Sequence, residues 1–278
     1  MRKIDKPTMS IGEIINCCVS NMRDGSDLKY LNAIAKITAY SEDFNRKMES
    51  TTAHLLQNHT KVTEDLNKED MIKLYTDKFA KLGQPGRKYY DRLKLSAQNG
   101  ICPICGVGQV STLDHYLAKT LYPFLAVTPQ NLVPACRDCN ENKRSMDFKH
   151  ASDMTLHPYY DDCQANEWLS AKIISVQPIY IEFGVCSDLS DKQLSYRLSS
   201  HLNAFELGKL YSKKAVEELA ANHSMFQNIL DKGGKEHLRT YIEQIYLSNY
   251  EYEKNSWRTA LYKALMDVDL IIIRGKIA

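Results

Sequence analysis

The sequence predicts a mainly α-helical protein with a small α+β core stapled by zinc. Three observations lead there. Both flanks of the chain carry apolar residues at three- and four-residue spacing, the middle is short and rich in turns, and that middle holds two Cys-x-x-Cys pairs. With 278 residues, 44% of them hydrophobic, the chain can bury a sizeable core. Charged residues make up 25% and the formal net charge is +2, so a surface for nucleic acid has to come from local clustering of Lys and Arg.

The first stretch, residues 1–95, reads as a helical lead-in. "LKYLNAIAKITAYSEDFNRKM" and "KEDMIKLYTDKFAKL" repeat the helical spacing until "GQPG" breaks it. The following "GRKYYDRLKLSAQNG" brings Arg87, Lys88, Arg92 and Lys94 together with two tyrosines, a pattern that suits a solvated helix face and a phosphate-contacting flank equally well. Residues 96–150 form the expected core domain, too small to own a large hydrophobic centre and therefore dependent on a staple. In residues 151–278, "AKIISVQPIYIEFGV" has the β-branched and aromatic content of one or two strands interrupted at Pro178. Three helical segments then follow, "NAFELGKLYSKKAVEELAANH", "GKEHLRTYIEQIYLSNYEYEK" and "SWRTALYKALMDV", before a short apolar "LIII".

The opening "MRKIDKPTMSIGEII" lacks the apolar run of a signal peptide, and nowhere do about 18 consecutive apolar residues occur, so a cytoplasmic protein without membrane contact is expected. Eight cysteines in a reducing compartment argue against disulfides. Cys17, Cys18, Cys163 and Cys186 lack paired spacing and read as small buried apolar residues. Cys102, Cys105, Cys136 and Cys139 supply the four thiolates that a structural Zn²⁺ takes in tetrahedral geometry. The 30 residues between the two pairs exceed a short zinc ribbon, so the intervening segment has to fold inside the clasp.

That segment contains "LDHYLAK" and then "NLVPACRDCN", and over about residues 100–146 it resembles the HNH (ββα-metal) endonuclease family, in the variant whose two cysteine pairs frame the active site. Asp114 and His115, Asn131 and Asn140 meet the family's order, with Asn140 standing where the name-giving final His stands in other members. Asn keeps an oxygen ligand for a hard divalent cation. The resemblance implies a ββα-metal core in which His115 activates water, Asn131 holds that water, and Asp114 with Asn140 binds catalytic Mg²⁺ or Mn²⁺. An imidazole with an ordinary pKa of about 6.5 suits the base, being mostly neutral near pH 7. Neighbours on a strand point to opposite faces, so Asp114 and His115 both reach one ion only if the backbone bends there.

Asn140 is expected in the first turn of a helix begun by "CRDCNENKRS", with Lys143 and Arg144 on its face as phosphate contacts. Lys119 and Arg137 are further candidates for substrate binding, and one or two of the four cations are expected to matter strongly. "LHPYYDD", residues 156–162, resembles a segment that follows the motif in larger HNH proteins. His157 there reads either as a group near the site or as part of a Pro-stabilised turn with Tyr packing.

The implied activity is metal-dependent hydrolysis of DNA. A single HNH core cuts one strand at a time, so double-strand cleavage needs a homo-oligomer or two successive nicks. A central core between long helical flanks is similar to HNH effectors of bacterial anti-phage systems such as the Septu type, which implies an ATPase partner. Two other functions suit the same residues: a nuclease acting on RNA such as tRNA, and a non-catalytic zinc-stabilised module that binds nucleic acid or protein.

Overall fold

The computed structural model describes every residue except Asp24, Arg144, Ser145, Arg274, Gly275 and Ala278. The chain is mainly helical, with small two-stranded antiparallel sheets. It divides into two compact units, Arg2–Asp161 and Asp162–Ala278, the second of which also includes Met1. Among the described residues no helix is long and apolar enough to cross a membrane.

The first unit contains the helices α1 (Ile11–Val19), α2 (Leu28–Glu49), α3 (Lys68–Lys73) and α4 (Arg87–Lys94). It continues with the strands β1 (Thr112–His115) and β2 (Leu132–Ala135), and then helix α5 (Arg137–Lys143). Helix α2 buries Tyr30, Ala33, Ile37, Ser41, Phe44 and Met48, the three- and four-residue stripe expected of an amphipathic helix. Helix α3 starts at a capping box, in which the Asn67 side chain accepts from Asp70 N–H at 2.9 Å and the Asp70 carboxylate accepts from Asn67 N–H at 3.2 Å. The chain then winds as a π-helical turn, Leu74–Phe79, which buries Tyr75 and Phe79.

The lead-in helices and the cysteine segment were expected as separate domains, yet they share one core. Ile37, Leu74, Phe79 and Leu93 pack in the same cluster as Leu113, Phe124, Val127 and Leu132. Tyr40 stacks on Phe124 at 4.4 Å, and the buried hydroxyls of Ser41 and Thr128 hydrogen-bond at 2.8 Å. A segment too short to bury its own apolar side chains takes its missing partners from α2, α4 and the π turn. The unit also extends beyond residue 150, because Tyr159 Oη donates to Leu132 O at 2.9 Å and ties the "LHPYYDD" stretch to β2.

The second unit is built on the hairpin of β3 (Leu169–Val176) and β4 (Ile179–Val185), which reverses at Gln177 and Pro178 as expected. Helices α6 (Lys192–Ala204), α7 (Leu207–Tyr252) and α8 (Trp257–Leu265) follow, then the two-residue strands β5 (Ile272–Ile273) and β6 (Lys276–Ile277). Helix α7 breaks at Gly234, whose φ of 72° lies in the left-handed region that only glycine enters freely. Tyr241 Oη reaches Met225 Sδ at 3.1 Å across the break, so α7 doubles back as a helical hairpin made of the two segments read from the sequence.

Buried Asn255 joins the start of this hairpin to α8. Its Oδ1 accepts from Trp168 N–H at 2.7 Å and Leu169 N–H at 3.3 Å, while Nδ2 donates to Cys163 O at 3.1 Å and Asn166 O at 2.9 Å. Asn255→Ala strands these backbone groups and is expected to lower stability by about 2–3 kcal/mol, read as a shift of the urea midpoint. A shift below ~0.5 kcal/mol would show that water replaces the amide without cost.

Candidate metal centre and hairpin site

Four sulfurs converge at one end of the β1–β2 hairpin. Cys102, Cys105, Cys136 and Cys139 are all buried, and their Sγ atoms lie within 4.8 Å of one another. The Cys105 and Cys136 sulfurs are 3.9 Å apart, close to the edge of about 3.8 Å that a tetrahedron with 2.3 Å zinc–sulfur bonds requires. The donors therefore fit a structural metal such as zinc. Hydrogen bonding from Cys102 pulls the Cys105 and Cys136 thiols down, and the same network pushes Cys102 and Cys139 up. Like charges at this separation need a cation before all four can ionise.

Local sequence explains how each pair reaches the centre. In the first knuckle Cys102 N–H donates to Gly108 O at 2.7 Å and Gly106 N–H to Cys102 O at 2.8 Å, while Gly108 N–H points at Cys105 Sγ, 3.3 Å away. Gly108 has no room for a side chain: a Cβ there would sit 2.8 Å from the Cys136 Cβ and 2.9 Å from its Sγ. The second pair straddles the junction of β2 and α5, with Cys136 directly after the strand and Cys139 in the first turn of the helix.

The strands pair antiparallel, with Thr112 opposite Ala135, Leu113 opposite Pro134, Asp114 opposite Val133 and His115 opposite Leu132. The staple thus closes the open end of the hairpin. Fully buried Asn131 closes the other: its Oδ1 accepts from Leu117 N–H at 2.8 Å, and Nδ2 donates to Leu117 O at 2.9 Å and Leu125 O at 3.3 Å. Both amide hydrogens are engaged with backbone, so Asn131 can meet an attacking water only as an acceptor, through Oδ1. Its observed role is to hold the long connection between the strands.

Asp114 and His115 leave β1 on different sides, as strand geometry requires. His115 turns its ring edge-on to Tyr75, with centroids 4.4 Å apart, and its Nε2 lies 2.9 Å from Ala126 O. A carbonyl only accepts, so Nε2 carries the proton and Nδ1 keeps its lone pair. Burial lowers the His115 pKa to about 3, helped by the charges of Lys119 and Lys143 and opposed by Ala126 O. The imidazole is neutral throughout the physiological range. Lys119 is half-buried with its ammonium 5.1 Å from the centre of the Tyr75 ring, and burial pulls its pKa down against the attraction of Asp114.

Asp114 turns toward α5 and meets Lys143, whose Nζ is 2.7 Å from Asp114 Oδ2 and 2.5 Å from His115 O. The Lys143 side chain is only 1% exposed, so the lysine expected to grip phosphate is an internal counter-ion. Asn140 does lie early in α5 and is half-buried, with its N–H donating to Cys136 O at 3.2 Å. With the Asp114 carboxylate held by an ammonium, Asp114 and Asn140 as arranged do not fit the open oxygen site implied for Mg²⁺ or Mn²⁺.

The other expected contacts fall apart spatially. Arg137 is exposed and paired with Glu141 at 2.7 Å, and Arg144 lies outside the described residues. On α4, Arg87 is tied to Asp91 at 2.9 Å, while Lys88 and Arg92 are exposed. His157 is fully buried and packs on Tyr116 at 4.4 Å and Tyr160 at 4.9 Å, in keeping with a Pro-containing turn with Tyr packing. Cys18 and Cys163 are buried as expected, and Cys17 and Cys186 are half-buried. Sequence inspection missed Tyr75, whose place beside His115 depends on the π turn; "KEDMIKLYTDKF" carries no mark of one.

Over 252 residues, 84% of this chain and 83% of the other, the sequence is 28% identical to Protein ea31 of Escherichia phage lambda. No family model and no solved structure matches the chain.

Two outcomes follow from the geometry. Gly108→Ala drives a methyl group into Cys136, so zinc should pass to a chromogenic chelator at least about ten-fold faster than from wild type; an unchanged rate would show that the knuckle can shift freely. His115 folds neutral, and the unfolded chain binds a proton there below about pH 6.5, so stability falls as pH falls from 6.5 toward 3. Between pH 7 and 5.5 the wild type should lose about 1 kcal/mol more than His115→Gln in urea unfolding. Equal losses would mean that the ring is not held neutral.

Proposed function

We propose that the chain is an endonuclease of the HNH type that hydrolyses phosphodiester bonds with His115 as general base. The observation that carries this is an imidazole on a hairpin closed by four cysteines, its Nε2 proton fixed by Ala126 O so that the Nδ1 lone pair is the one left to accept. His115 Nδ1 takes a proton from water as the water oxygen attacks phosphorus and the bond to the leaving 3′ oxygen breaks. That oxygen then takes a proton from solvent. Lys119, close enough for its charge to act on both His115 and Asp114, balances the growing charge on the phosphate. Asn131 and the zinc staple position the base, and no step is assigned to a divalent ion at Asp114.

DNA is the proposed substrate, and RNA would use the same base and cation. A cytoplasmic setting keeps a four-thiolate centre reduced. Similarity to the Septu-type arrangement motivates an ATPase partner and a role in anti-phage defence, and double-strand cleavage would call for a homo-oligomer. A second function, a non-catalytic zinc-stabilised binding module, is favoured by one observation: Asp114 and Asn131 both have structural partners that account for them without catalysis.

The test is nicking of supercoiled plasmid with Mg²⁺ or Mn²⁺, beside EDTA and His115→Ala, and with RNA in parallel. Cleavage falling by ~10² or more in His115→Ala, at full zinc content, supports the assignment. Undiminished cleavage removes His115 as base, and inert wild type on both nucleic acids favours the binding module.

A further inference from the structure

A cleft of about 490 Å³ opens in the first unit between the α1–α2 loop and the π turn that follows α3, a volume in the range of ligand sites. Met22 and the buried Tyr30 and Leu74 form its apolar part. Around them stand four cations, Arg23, Lys29, Lys73 and Lys78, against one carboxylate, Asp77. The chain as a whole has 36 Lys and Arg against 34 Asp and Glu, so the cleft holds the local excess that a nearly neutral chain needs in order to bind an anion.

What these cations touch decides more than their number. Arg23 and Lys73 are exposed, with no side-chain partner among the described residues. Lys78 donates to Asn21 Oδ1 at 2.9 Å, and Asn21 is itself fixed by donating through Nδ2 to Gln84 Oε1 at 3.0 Å. A neutral amide aims the ammonium without cancelling its charge and leaves two of its three protons for another acceptor. Lys29 pairs with Asp70 Oδ1 at 2.7 Å, and Asp70 Oδ2 caps α3, so that carboxylate is used up within the wall. Asp77 accepts from Thr76 Oγ1 at 3.3 Å. Elsewhere in this unit exposed cations are matched along their own helix, as Arg46 is by Asp43 and Arg137 by Glu141.

The cleft also adjoins the hairpin. Leu74 lines it, and the next residue, Tyr75, lies edge-on against His115 at 4.4 Å, so the π turn has the cleft on one side and the imidazole on the other. We propose that the cleft holds the phosphate backbone of a nucleic-acid strand beside the hairpin site, with Arg23, Lys73 and Lys78 as its contacts. The choice of a strand as ligand rests on the nuclease assignment. An open trough with cations on both walls suits a chain of phosphates that passes through it, and contacts of this kind position a strand without reading its bases.

The test is fluorescence anisotropy of a labelled thymidine oligonucleotide with the zinc-loaded full chain, over a series of salt concentrations and without added divalent cation, so that nothing is cleaved. The double variant Arg23→Gln with Lys73→Gln should bind at least about ten-fold more weakly than wild type and flatten the slope of log affinity against log salt by about 1.4, the loss of two single-strand phosphate contacts. Its urea midpoint should not move, since neither side chain has a partner to lose. Lys213→Gln with Lys232→Gln, which removes the same charge from exposed positions of the second unit, should bind as wild type does. Wild-type affinity and slope in the Arg23 and Lys73 double variant, or an equal loss in the control, overturns the inference and leaves the nuclease assignment to the plasmid assay. Absence of oligonucleotide binding by wild type also overturns it, as does competition by ATP as strong as by unlabelled oligonucleotide, which would make the cleft a site for a free nucleotide. Cleft-dependent binding beside plasmid cleavage that persists in His115→Ala would keep the cleft and remove the base.

Discussion

The meeting of four cysteine sulfurs is the constraint on which the rest of the first unit depends. β1 and β2 are four residues each and α5 is seven, lengths at which neither a two-stranded ladder nor a helix persists alone in water. Cys102 and Cys105 anchor the approach to β1, Cys136 ends β2, and Cys139 fixes the first turn of α5, so one cation would hold three elements at once. Asn131 supplies the matching closure at the far end with three backbone hydrogen bonds. The residues between the two closures have little freedom left, and Asp114 and His115 are among them.

Within that frame electrostatics separates two neighbours on one strand. His115 faces an apolar and aromatic wall where its charged form is disfavoured, and Ala126 O selects its tautomer. Asp114, one residue earlier, faces α5 and pairs with the buried Lys143 at 2.7 Å. Removing either partner of such a pair leaves an uncompensated charge, which costs far more than the pair contributes. The pair therefore fixes the placement of α5 on the hairpin more than it adds stability.

Much of this organisation was legible in the sequence because it rests on local rules. Cysteine spacing is a direct geometric statement, the β3–β4 hairpin was marked by β-branched residues around Pro178, and the α2 stripe follows the helical period. What escaped depends on packing between distant residues. The 140/143 spacing on α5 says that the two side chains share a face; whether that face meets water or Asp114 is decided by where the helix lies. The same holds for Asn131, whose partners are backbone groups with no sequence signal, and for Tyr75, which reaches His115 through a π turn. The expected division near residue 95 failed because the cysteine segment completes its core with α2 and α4.

Metal content and zinc K-edge absorption of the purified chain test the central claim most directly. One zinc per chain, with a single shell of four sulfurs at about 2.3 Å, is the predicted result. A shell that includes nitrogen or oxygen, or a zinc-free protein that keeps its fold with the cysteines reduced, would contradict the account, because the hairpin would then be holding the cysteines and not the reverse.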